Sequence, residues 1–241
     1  MAREALRIDI KKGVRIVDLG IYIEEFALLA FSDVHLGYEE ALNKQGILVP
    51  KFHFNDLMKR VSRMIARVRP QKILINGDVK HEFGSISDEE WRNSLKFMDH
   101  LKESCEELII IKGNHDKVID PIAAKRDILL VKEYNIGPYL FVHGDFIPGK
   151  IDEKVKTIII GHEHPAVAIT EGVRSETFKC FLYGTWQRYD LIVLPSMNLV
   201  TEGTDILKNK LLSPFLNQDL SSFKAWIVGD KVYEFGTVGK L

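Results

Sequence analysis

Near its middle the chain reads Leu108-Ile109-Ile110-Ile111-Lys112-Gly113-Asn114-His115-Asp116, an apolar run followed by a polar patch that contains glycine. A continuous apolar run of this length is typical of a strand buried on both faces of a sheet. The same order recurs where Asp33-x-His35, Gly77-Asp78 and Gly161-His162-Glu163-His164 follow apolar runs. A further patch, His143-Gly144-Asp145, follows the shorter run Tyr139 to Val142. This recurrence predicts several buried strands that end in polar loops.

The polar patches carry side chains that bind transition metals. Two divalent ions about 3.5–4 Å apart need about four protein ligands each, with positions left open for water and substrate. A carboxylate can bridge two ions, imidazole suits Mn, Fe, Co, Ni or Zn, and an amide oxygen adds a neutral ligand. If the runs Phe26 to Phe31, Ile73 to Ile75, Leu108 to Ile111 and Thr157 to Ile160 lie side by side, their carboxyl ends meet at one edge, where α/β folds usually place ligands. One metal site at that edge would then contain Asp33, His35, Asp78, Asn114, His162 and His164.

Each patch also has an ordinary interpretation. Gly77-Asp78 alone is a common turn pair, and Asn114 to Asp116 could be a turn closed by an Asx side chain. His143 alone could be a buried core histidine. Independent coincidence of all five patches is implausible, so the joint metal site is the favoured hypothesis.

The five patches, in order D-x-H, G-D, G-N-H-[DE], a lone His and G-H-x-H, resemble the motifs of the calcineurin-like metallophosphoesterases. The resemblance covers about residues 26 to 198. It implies an α/β fold (α+β in some schemes): a two-sheet β-sandwich flanked by helices, with a dinuclear metal site at the C-terminal strand edge. Within the family, His81 and the segment Leu194-Pro195-Ser196-Met197-Asn198 are similar to the small phosphoesterases related to the SbcD nuclease.

The resemblance also implies a role for each matching residue. The implied ligands of the first ion are Asp33, His35, Asp78 and His164, and those of the second are Asp78, Asn114, His143 and His162. His115 would not be a ligand but would face the scissile phosphate, stabilising charge or protonating the leaving oxygen. His81 would assist His115 or the phosphate. The implied cofactors are two divalent transition-metal ions, with Mn favoured and Fe, Zn, Ni or Co as alternatives.

The implied function is hydrolysis of phosphodiesters by a metal-activated hydroxide. Nucleic acid is the favoured substrate, in single strands rather than duplexes, and cyclic nucleotides or other small diesters are the alternative. A phosphomonoesterase or protein phosphatase is a further alternative, but protein phosphatases of the family carry G-D-x-x-D-R-G where this chain reads Gly77-Asp78-Val79-Lys80-His81-Glu82. A non-catalytic scaffold belongs to another class; such relatives lose ligand residues, whereas every ligand position is filled here.

Composition limits the remaining possibilities. The 241 residues, 46% hydrophobic and 28% charged, have room for one sizeable domain or for a domain with an appendage. Together with the resemblance, this length leads us to expect a single metallophosphoesterase domain over residues 1–241. A net charge of −1 without a dense Lys/Arg tract argues against a basic face for long duplexes. No run approaches the ~18 apolar residues of a membrane span, and no signal-peptide pattern opens the chain. Cys105 and Cys180 lack a C-x-x-C spacing, so we expect both to be thiols. Together with the lack of a span and of a signal-peptide pattern, this predicts no membrane partner and a cytoplasmic location.

The pattern along the chain also predicts individual elements. The predicted hairpins are Val14 to Leu19 with Gly20 to Ile23, and Ala225 to Val228 with Val232 to Phe235; the predicted helices run from about Phe54 to Arg67 and from an N-cap at Ser87 to Glu103. Strands near Ile128 to Val131 and Leu140 to His143 indicate a second sheet. The segments Tyr38 to Pro50 and Gly84 to Asp88 are treated as loops without a readable substrate code, and His53 and His100 are expected at the surface.

Several residues keep alternative interpretations. Residues 201–223 could form a flap beside the site, a packing arm, a contact in a homodimer or an ordinary surface excursion. Asp116 and Asp145 could orient neighbouring histidines, as metal-bound imidazoles usually require, or could be exposed loop acids. Glu163 could face solvent or hydrogen-bond the site.

Overall fold

The first of two β-sheets carries three of the predicted polar loops. The computed structural model describes residues 8–49, 53–81, 88–116, 119–208 and 210–240. Its first sheet contains, in spatial order, β1 (Asp9–Lys11), β2 (Val14–Val17), β3 (Gly20–Ile23), β4 (Leu28–Phe31), β5 (Lys72–Asn76), β6 (Glu107–Ile111) and β7 (Leu129–Val131). Strands β1 to β4 pair antiparallel, whereas β4 to β7 are parallel. The carboxyl ends of β4, β5 and β6 therefore lie side by side.

The second sheet carries the other two polar loops. Its strands are β8 (Glu133–Ile136), β9 (Tyr139–Val142), β10 (Thr157–Ile160), β11 (Pro165–Glu171), β12 (Arg174–Trp186), β13 (Tyr189–Val193), β14 (Thr204–Asp205), β15 (Lys224–Val228) and β16 (Val232–Thr237). The spatial order is β14-β11-β12-β13-β10-β9-β8, with β15 also paired to β12 and to β16. Strand β10 is parallel to both β9 and β13, so the loops after β9 and β10 meet at one edge.

The helices are α1 (Tyr38–Lys44), α2 (His53–Val68), α3 (Asp88–Lys102) and α4 (Asp120–Ala124), with 3-10 turns at Glu24–Phe26, Pro214–Leu216 and Val238–Lys240. Helix α2 shows why these segments are helical. Leu57, Val61 and Met64 recur at helical spacing and are buried, whereas Lys59 and Arg63 are exposed. This amphipathic pattern packs one face of α2 on the first sheet and leaves the other in water.

Three apolar layers hold the elements together. The outer face of the first sheet packs on α2, α3 and α4, with Phe31, Phe97 and Ile122 in one cluster. The two sheets face each other across a second cluster that includes Ile109 and Ile159. The outer face of the second sheet is covered by a third cluster drawn partly from the segment 206–223. The helices that the structure describes contribute buried apolar residues to the first of these clusters, not to the third.

The predicted arrangement of strands is wrong in two places. Thr157–Ile160 does not lie beside the other three runs but in the second sheet, and Leu129–Val131 extends the first sheet instead of beginning the second. A run that is buried on both faces has the same apolar sequence in either sheet, so its periodicity does not decide which sheet it joins. The polar loops still converge, because the ends of the two sheets meet: Asn76 Nδ2 donates to the carbonyl oxygen of Ile159 at 3.4 Å.

Three local expectations are also corrected. His53 is buried, not at the surface, and burial lowers its pKa to about 4. Residues 38–44, within a segment treated as a loop, form α1. The predicted N-cap Ser87 and the loop residues 84–87 lie outside the described residues, and helix α3 is described from Asp88. Within the described ranges, no helix is both long enough and apolar enough to cross a membrane.

The segment 201–223 is a packing element of the second sheet. Phe215, Leu216, Leu220 and Phe223 are buried in the third apolar cluster. The ring of Phe215 lies 4.8 Å from that of Trp186, measured between centroids. These contacts support the packing-arm interpretation of the segment, which stays a prediction.

We expect Phe215→Ala to lower the free energy of unfolding by about 3–5 kcal/mol, because it removes a fully buried ring and leaves a cavity. Leu212→Ala, at a side chain 67% exposed in the same segment, should change it by less than about 0.5 kcal/mol. Urea unfolding of both variants measures the difference. Equal stabilities would contradict a packing role for this segment.

Candidate metal centre

Five loops place the predicted site residues at the edge where the two sheets meet. Asp33 and His35 follow β4, Asp78 and His81 follow β5, and Asn114 and His115 follow β6. From the second sheet, His143 follows β9, and His162 and His164 follow β10. The structure brings all nine of these residues to one edge, and three groups of possible ligand atoms form there, each group within 4.8 Å.

The first group consists of Asp33, His35 and His164. Asp33 Oδ1 lies 3.3 Å from Nε2 of His164, which in turn lies 3.1 Å from Nε2 of His35. The three side chains come from both sheets, since His164 follows β10. One carboxylate and two imidazoles that converge in this way form a suitable donor set for a divalent transition metal.

The second group consists of Asp78, His143 and His162. His143 Nε2 lies 3.4 Å from Asp78 Oδ2 and 3.1 Å from Asn114 Oδ1. The other nitrogen of His143, Nδ1, donates to the carbonyl oxygen of Asn76 at 3.1 Å. That hydrogen bond leaves Nε2 as the nitrogen that faces Asp78 and Asn114, as in a metal-bound histidine oriented by a carbonyl.

Asp78 lies between the two groups. Its Oδ2 is 3.8 Å from Nε2 of His35 in the first group and 3.4 Å from Nε2 of His143 in the second. The Asp78 side chain is almost completely buried, and its other oxygen accepts the backbone N–H of His115 at 2.9 Å. A carboxylate in this position can bind an ion on either side.

His115 and His81 lie at the rim of the centre. Nδ1 of His115 donates to the carbonyl oxygen of His81 at 2.7 Å, so Nε2 is the nitrogen that faces Asp78, 4.0 Å away. The two imidazole rings are stacked, with centroids 5.6 Å apart. The His115 side chain is 19% exposed, so it remains accessible to a substrate.

The comparisons with known proteins agree with this geometry. The model of the calcineurin-like phosphoesterase family matches residues 26–165, more than half of the chain. The chain belongs to this family. It is therefore a hydrolase that acts on phosphoester bonds, and its family binds divalent metal ions.

Solved structures extend the comparison to the whole fold. A nuclease from Pseudomonas putida called MPE is 18% identical, with a TM-score of 0.70, and the alignment covers 96% of this chain and 100% of that one. At this identity the likeness concerns the fold. The phosphoesterase Yfce from E. coli is 15% identical, with a TM-score of 0.42 and coverage of 89% and 94%. No curated protein is similar enough in sequence to count as a match.

The electrostatics of this calcineurin-like phosphoesterase keep Asp33 and Asp78, two of its buried acids, negative. Burial acts to raise the pKa of Asp33 and of Asp78, but attraction to the histidines, chiefly His164 and His143 respectively, outweighs burial and lowers both pKa values. Burial opposes the charged form of His143 as well, yet its contacts with Asp78 and Asp33 raise its pKa to about 10. Burial and the neighbouring His164 lower the pKa of His35 well below its usual value. Two carboxylates that stay charged when buried are suited to bind cations.

Some supporting residues escape sequence reasoning. Ser32 Oγ donates to Asp33 Oδ2 at 2.6 Å and also lies 2.8 Å from the carbonyl oxygen of Asn76. Ser196 Oγ donates to the carbonyl oxygen of Asp33 at 2.8 Å. The only sequence signal for Ser196 is its place in the segment 194–198, and Ser32 has none beyond its position before Asp33.

Asp116 orients backbone rather than imidazole. Its carboxylate accepts the N–H groups of Val79, Lys80 and Gly113 at 3.0–3.3 Å, which fastens the loop after β6 to the loop after β5. Burial and the charge of Asp78 raise the pKa of Asp116 to about 7, against the three N–H donors. Neither role weighed for Asp116 fits the structure, because the residue is buried and these hydrogen bonds go to backbone N–H groups instead of an imidazole.

Glu163 faces the protein and not the solvent. Its Oε2 accepts the N–H groups of Leu212 at 2.7 Å and of Ser213 at 2.9 Å, and Ser213 Oγ donates to the carbonyl oxygen of Gly144 at 2.7 Å. The segment 201–223 thus holds both the loop that carries His162 and the loop that carries His143. The segment thus supports the site through these two loops and contains none of the predicted ligands.

The loops that carry the candidate ligands adopt an uncommon left-handed backbone conformation. Positive φ angles, which side chains other than glycine rarely adopt, occur at these proposed ligands: Asp33 (56°), His35 (49°), Asp78 (48°), His162 (66°) and His164 (52°). The left-handed conformation costs roughly 1–2 kcal/mol per residue, less for Asp. Strain of this kind is concentrated at functional sites, where the surrounding contacts hold it in place.

Two glycines permit the close approach of loops. Gly77 has φ of 87°, and a Cβ there would lie 2.0 Å from Nδ1 of His143. A Cβ on Gly161 would lie 1.8 Å from Ser32 Oγ and 2.6 Å from Asp33 Oδ2. The loop after β10 reaches Asp33 only because residue 161 has no side chain.

Gly161→Ala should therefore lower metal affinity about 10–100-fold, the range seen when groups that support a ligand are disturbed. The added methyl group would push Ser32 and Asp33 away from the loop that contains residue 161. Gly149→Ala is the matched control, because no atom lies within 4 Å of a Cβ there. Metal content after dialysis against a buffered metal, with circular dichroism to check folding, measures the effect; equal metal content in the two variants would contradict it.

Proposed function

We propose that this chain hydrolyses phosphodiesters with two divalent transition-metal ions. The main support for this proposal is the position of Asp78. The buried Asp78 belongs to one histidine-containing group and lies beside the other, and each group combines residues of both sheets. The proposed ligands of the first ion are Asp33, His35, Asp78 and His164, and those of the second are Asp78, Asn114, His143 and His162.

The donor set fits such ions. It combines carboxylate and amide oxygens with imidazole nitrogens, a mixture that suits Mn²⁺ or Fe²⁺ as well as Zn²⁺, and we favour manganese. When bound, two such ions lower the pKa of a water towards about 7 and neutralise the charge of phosphate oxygens. The protein's own part is to hold the ligands rigidly, through Ser32, Asp116 and Glu163, so that little rearrangement is needed on binding.

His115 is the proposed proton donor. Its Nδ1 is occupied by the carbonyl oxygen of His81, so Nε2 is the atom that can pass a proton to the leaving oxygen of the substrate. The same nitrogen, when protonated, stabilises negative charge on the phosphate. His81 positions His115 through this carbonyl and through ring stacking.

The structure favours a flexible phosphodiester as the substrate. Asp33 and His35 are buried and His115 is only partly exposed, so the proposed centre is recessed. A single strand can bend its backbone into a recess more easily than a rigid duplex can. The fold likeness to a nuclease and the similarity to SbcD-related phosphoesterases support nucleic acid as this substrate.

Other parts of the proposal concern the protein as a whole. Ligands come from both sheets, which supports one catalytic domain over residues 1–241. Cys105 and Cys180 are both free thiols, which supports a cytoplasmic location.

We predict that Asp78→Asn loses most bound metal, whereas His115→Ala keeps about two ions per chain and loses turnover by a factor of ~10² to 10⁴. Asp78 is the shared ligand, whereas His115 contacts only the substrate in this proposal. Elemental analysis and hydrolysis of bis-p-nitrophenyl phosphate, with and without EDTA, measure the two properties.

Asp120→Asn and His100→Ala are the matched controls, since both side chains lie outside the centre. Both should keep metal and activity. Activity that EDTA leaves unchanged, or a fully active His115→Ala protein, would contradict the proposed mechanism. Loss of metal from His115→Ala would make that histidine a ligand.

We predict that, with Mn²⁺, hydrolysis of bis-p-nitrophenyl phosphate exceeds that of the mono-p-nitrophenyl ester. Among nucleic acids, single strands or ends should be cleaved faster than duplexes, because the recessed centre requires a flexible backbone. Initial rates on matched single-stranded and duplex DNA and RNA measure this preference.

Two results would change this assignment. Faster hydrolysis of the monoester would identify a phosphomonoesterase. Turnover of cyclic nucleotides with inert DNA and RNA would identify a small-molecule phosphodiesterase.

A further inference from the structure

A third group of nitrogens lies beside the two proposed metal sites. It consists of His35, His81 and His115, whose potential ligand atoms are within 4.8 Å of one another. The ring of His35 is perpendicular to that of His115, with centroids 5.1 Å apart, and lies 5.6 Å from that of His81. Three imidazoles thus converge, and the carboxylate of Asp78 lies beside two of them, with Oδ2 3.8 Å from Nε2 of His35 and 4.0 Å from Nε2 of His115.

His35 belongs to two groups at once. With Asp33 and His164 it forms the first proposed metal site, and with His81 and His115 it forms the third group. Its Nε2 is 3.1 Å from His164, while its buried Nδ1 has no hydrogen-bond partner among the described residues. Since an imidazole rarely binds two ions at once, the two sites compete for His35.

The surroundings of the third group resemble those of a metal-bound histidine. Nδ1 of His115 donates to the carbonyl oxygen of His81, which leaves Nε2 with a lone pair for a cation. Tyr38 packs edge-on against the ring of His81, with centroids 4.3 Å apart, and limits its rotation. The group therefore offers nitrogens on side chains that are already held in place.

We propose that His35, His81 and His115 form an alternative cation site that selects zinc-like ions. An ion bound there keeps an ion out of the first proposed metal site, because both sites need His35. Three imidazoles with an open fourth position are a common donor set for Zn²⁺, whereas Mn²⁺ prefers sites that include oxygen ligands. The first group provides such an oxygen from Asp33. The identity of the ion thus decides which of the two overlapping sites is filled.

Occupation of the alternative site removes two groups from their proposed roles. His35 no longer completes the first site, and Nε2 of His115 is no longer available to the leaving oxygen. Zinc-loaded protein is consequently poorly active compared with manganese-loaded protein. This consequence for activity rests on the proposed function, whereas the position of the ion does not.

The direct test locates zinc by anomalous diffraction at the zinc edge, in crystals of metal-free protein soaked with Zn²⁺. We expect an anomalous peak among His35, His81 and His115 in the wild-type protein. In His81→Phe, which keeps an aromatic ring but removes the nitrogen, the peak should move to the group of Asp33, His35 and His164. Zinc found in wild-type protein only in the two groups that contain Asp would overturn the proposal.

The solution test measures the ratio of zinc-supported to manganese-supported hydrolysis within each protein. His81→Phe should raise this ratio about tenfold or more over that of the wild type, even if its total activity falls. His100→Phe, which removes an imidazole outside all three groups, should leave the ratio unchanged. An unchanged ratio in an active His81→Phe protein would overturn the proposal. Wild-type protein that shows no hydrolysis with any metal would refute the proposed function and leave the anomalous test decisive, and an inactive His81→Phe protein would likewise leave that test to decide.

Discussion

Asp33 ties together the loops on which the centre depends. Its backbone N–H donates to the carbonyl oxygen of Gly77 after β5, at 3.1 Å. Its carboxylate accepts the N–H of His162 after β10 at 3.0 Å, and its carbonyl oxygen accepts the N–H of Asn198 after β13 at 3.1 Å. One buried residue thus joins strand ends from both sheets. Because the same carboxylate is a proposed ligand, the junction of the sheets and the geometry of the centre are a single construction.

Support for the centre comes from two acids that are not themselves proposed ligands. The carboxylate of Asp116 fixes two loops of the first sheet, and that of Glu163 fixes the segment 201–223 against a loop of the second. Both acids are buried and both accept backbone N–H groups. Burial raises the pKa of each, whereas the pKa values of Asp33 and Asp78 are lowered. These four acids therefore divide into two classes, the proposed ligands Asp33 and Asp78 and the two that hold the loops.

The sequence patterns predict which residues come together at the centre, but they do not predict which sheet carries each loop. The polar patches at the ends of apolar runs predict that Asp33, Asp78 and His162 lie close together, and the structure places them so; their roles as ligands stay predictions. The patterns do not show that β10 belongs to the second sheet, because burial on both faces looks the same in either sheet. Strand β11 and most of β12 escape notice, since segments such as Arg174-Ser175-Glu176 are polar and exposed. Ser32 and Ser196 act through hydrogen bonds to a distant part of the chain, which no local pattern encodes.

The left-handed backbone at His162 and His164 has a consequence for the history of such chains. A histidine there is less favourable to folding than a glycine or an asparagine, so stability alone gives no reason to retain it. Under the proposed function, selection for metal binding retains histidine at both positions although the backbone favours another residue. A descendant that had lost its catalytic role would be free to substitute glycine or asparagine at these two positions and become more stable. Among related sequences, such substitutions would distinguish chains that no longer bind metal from chains that still do.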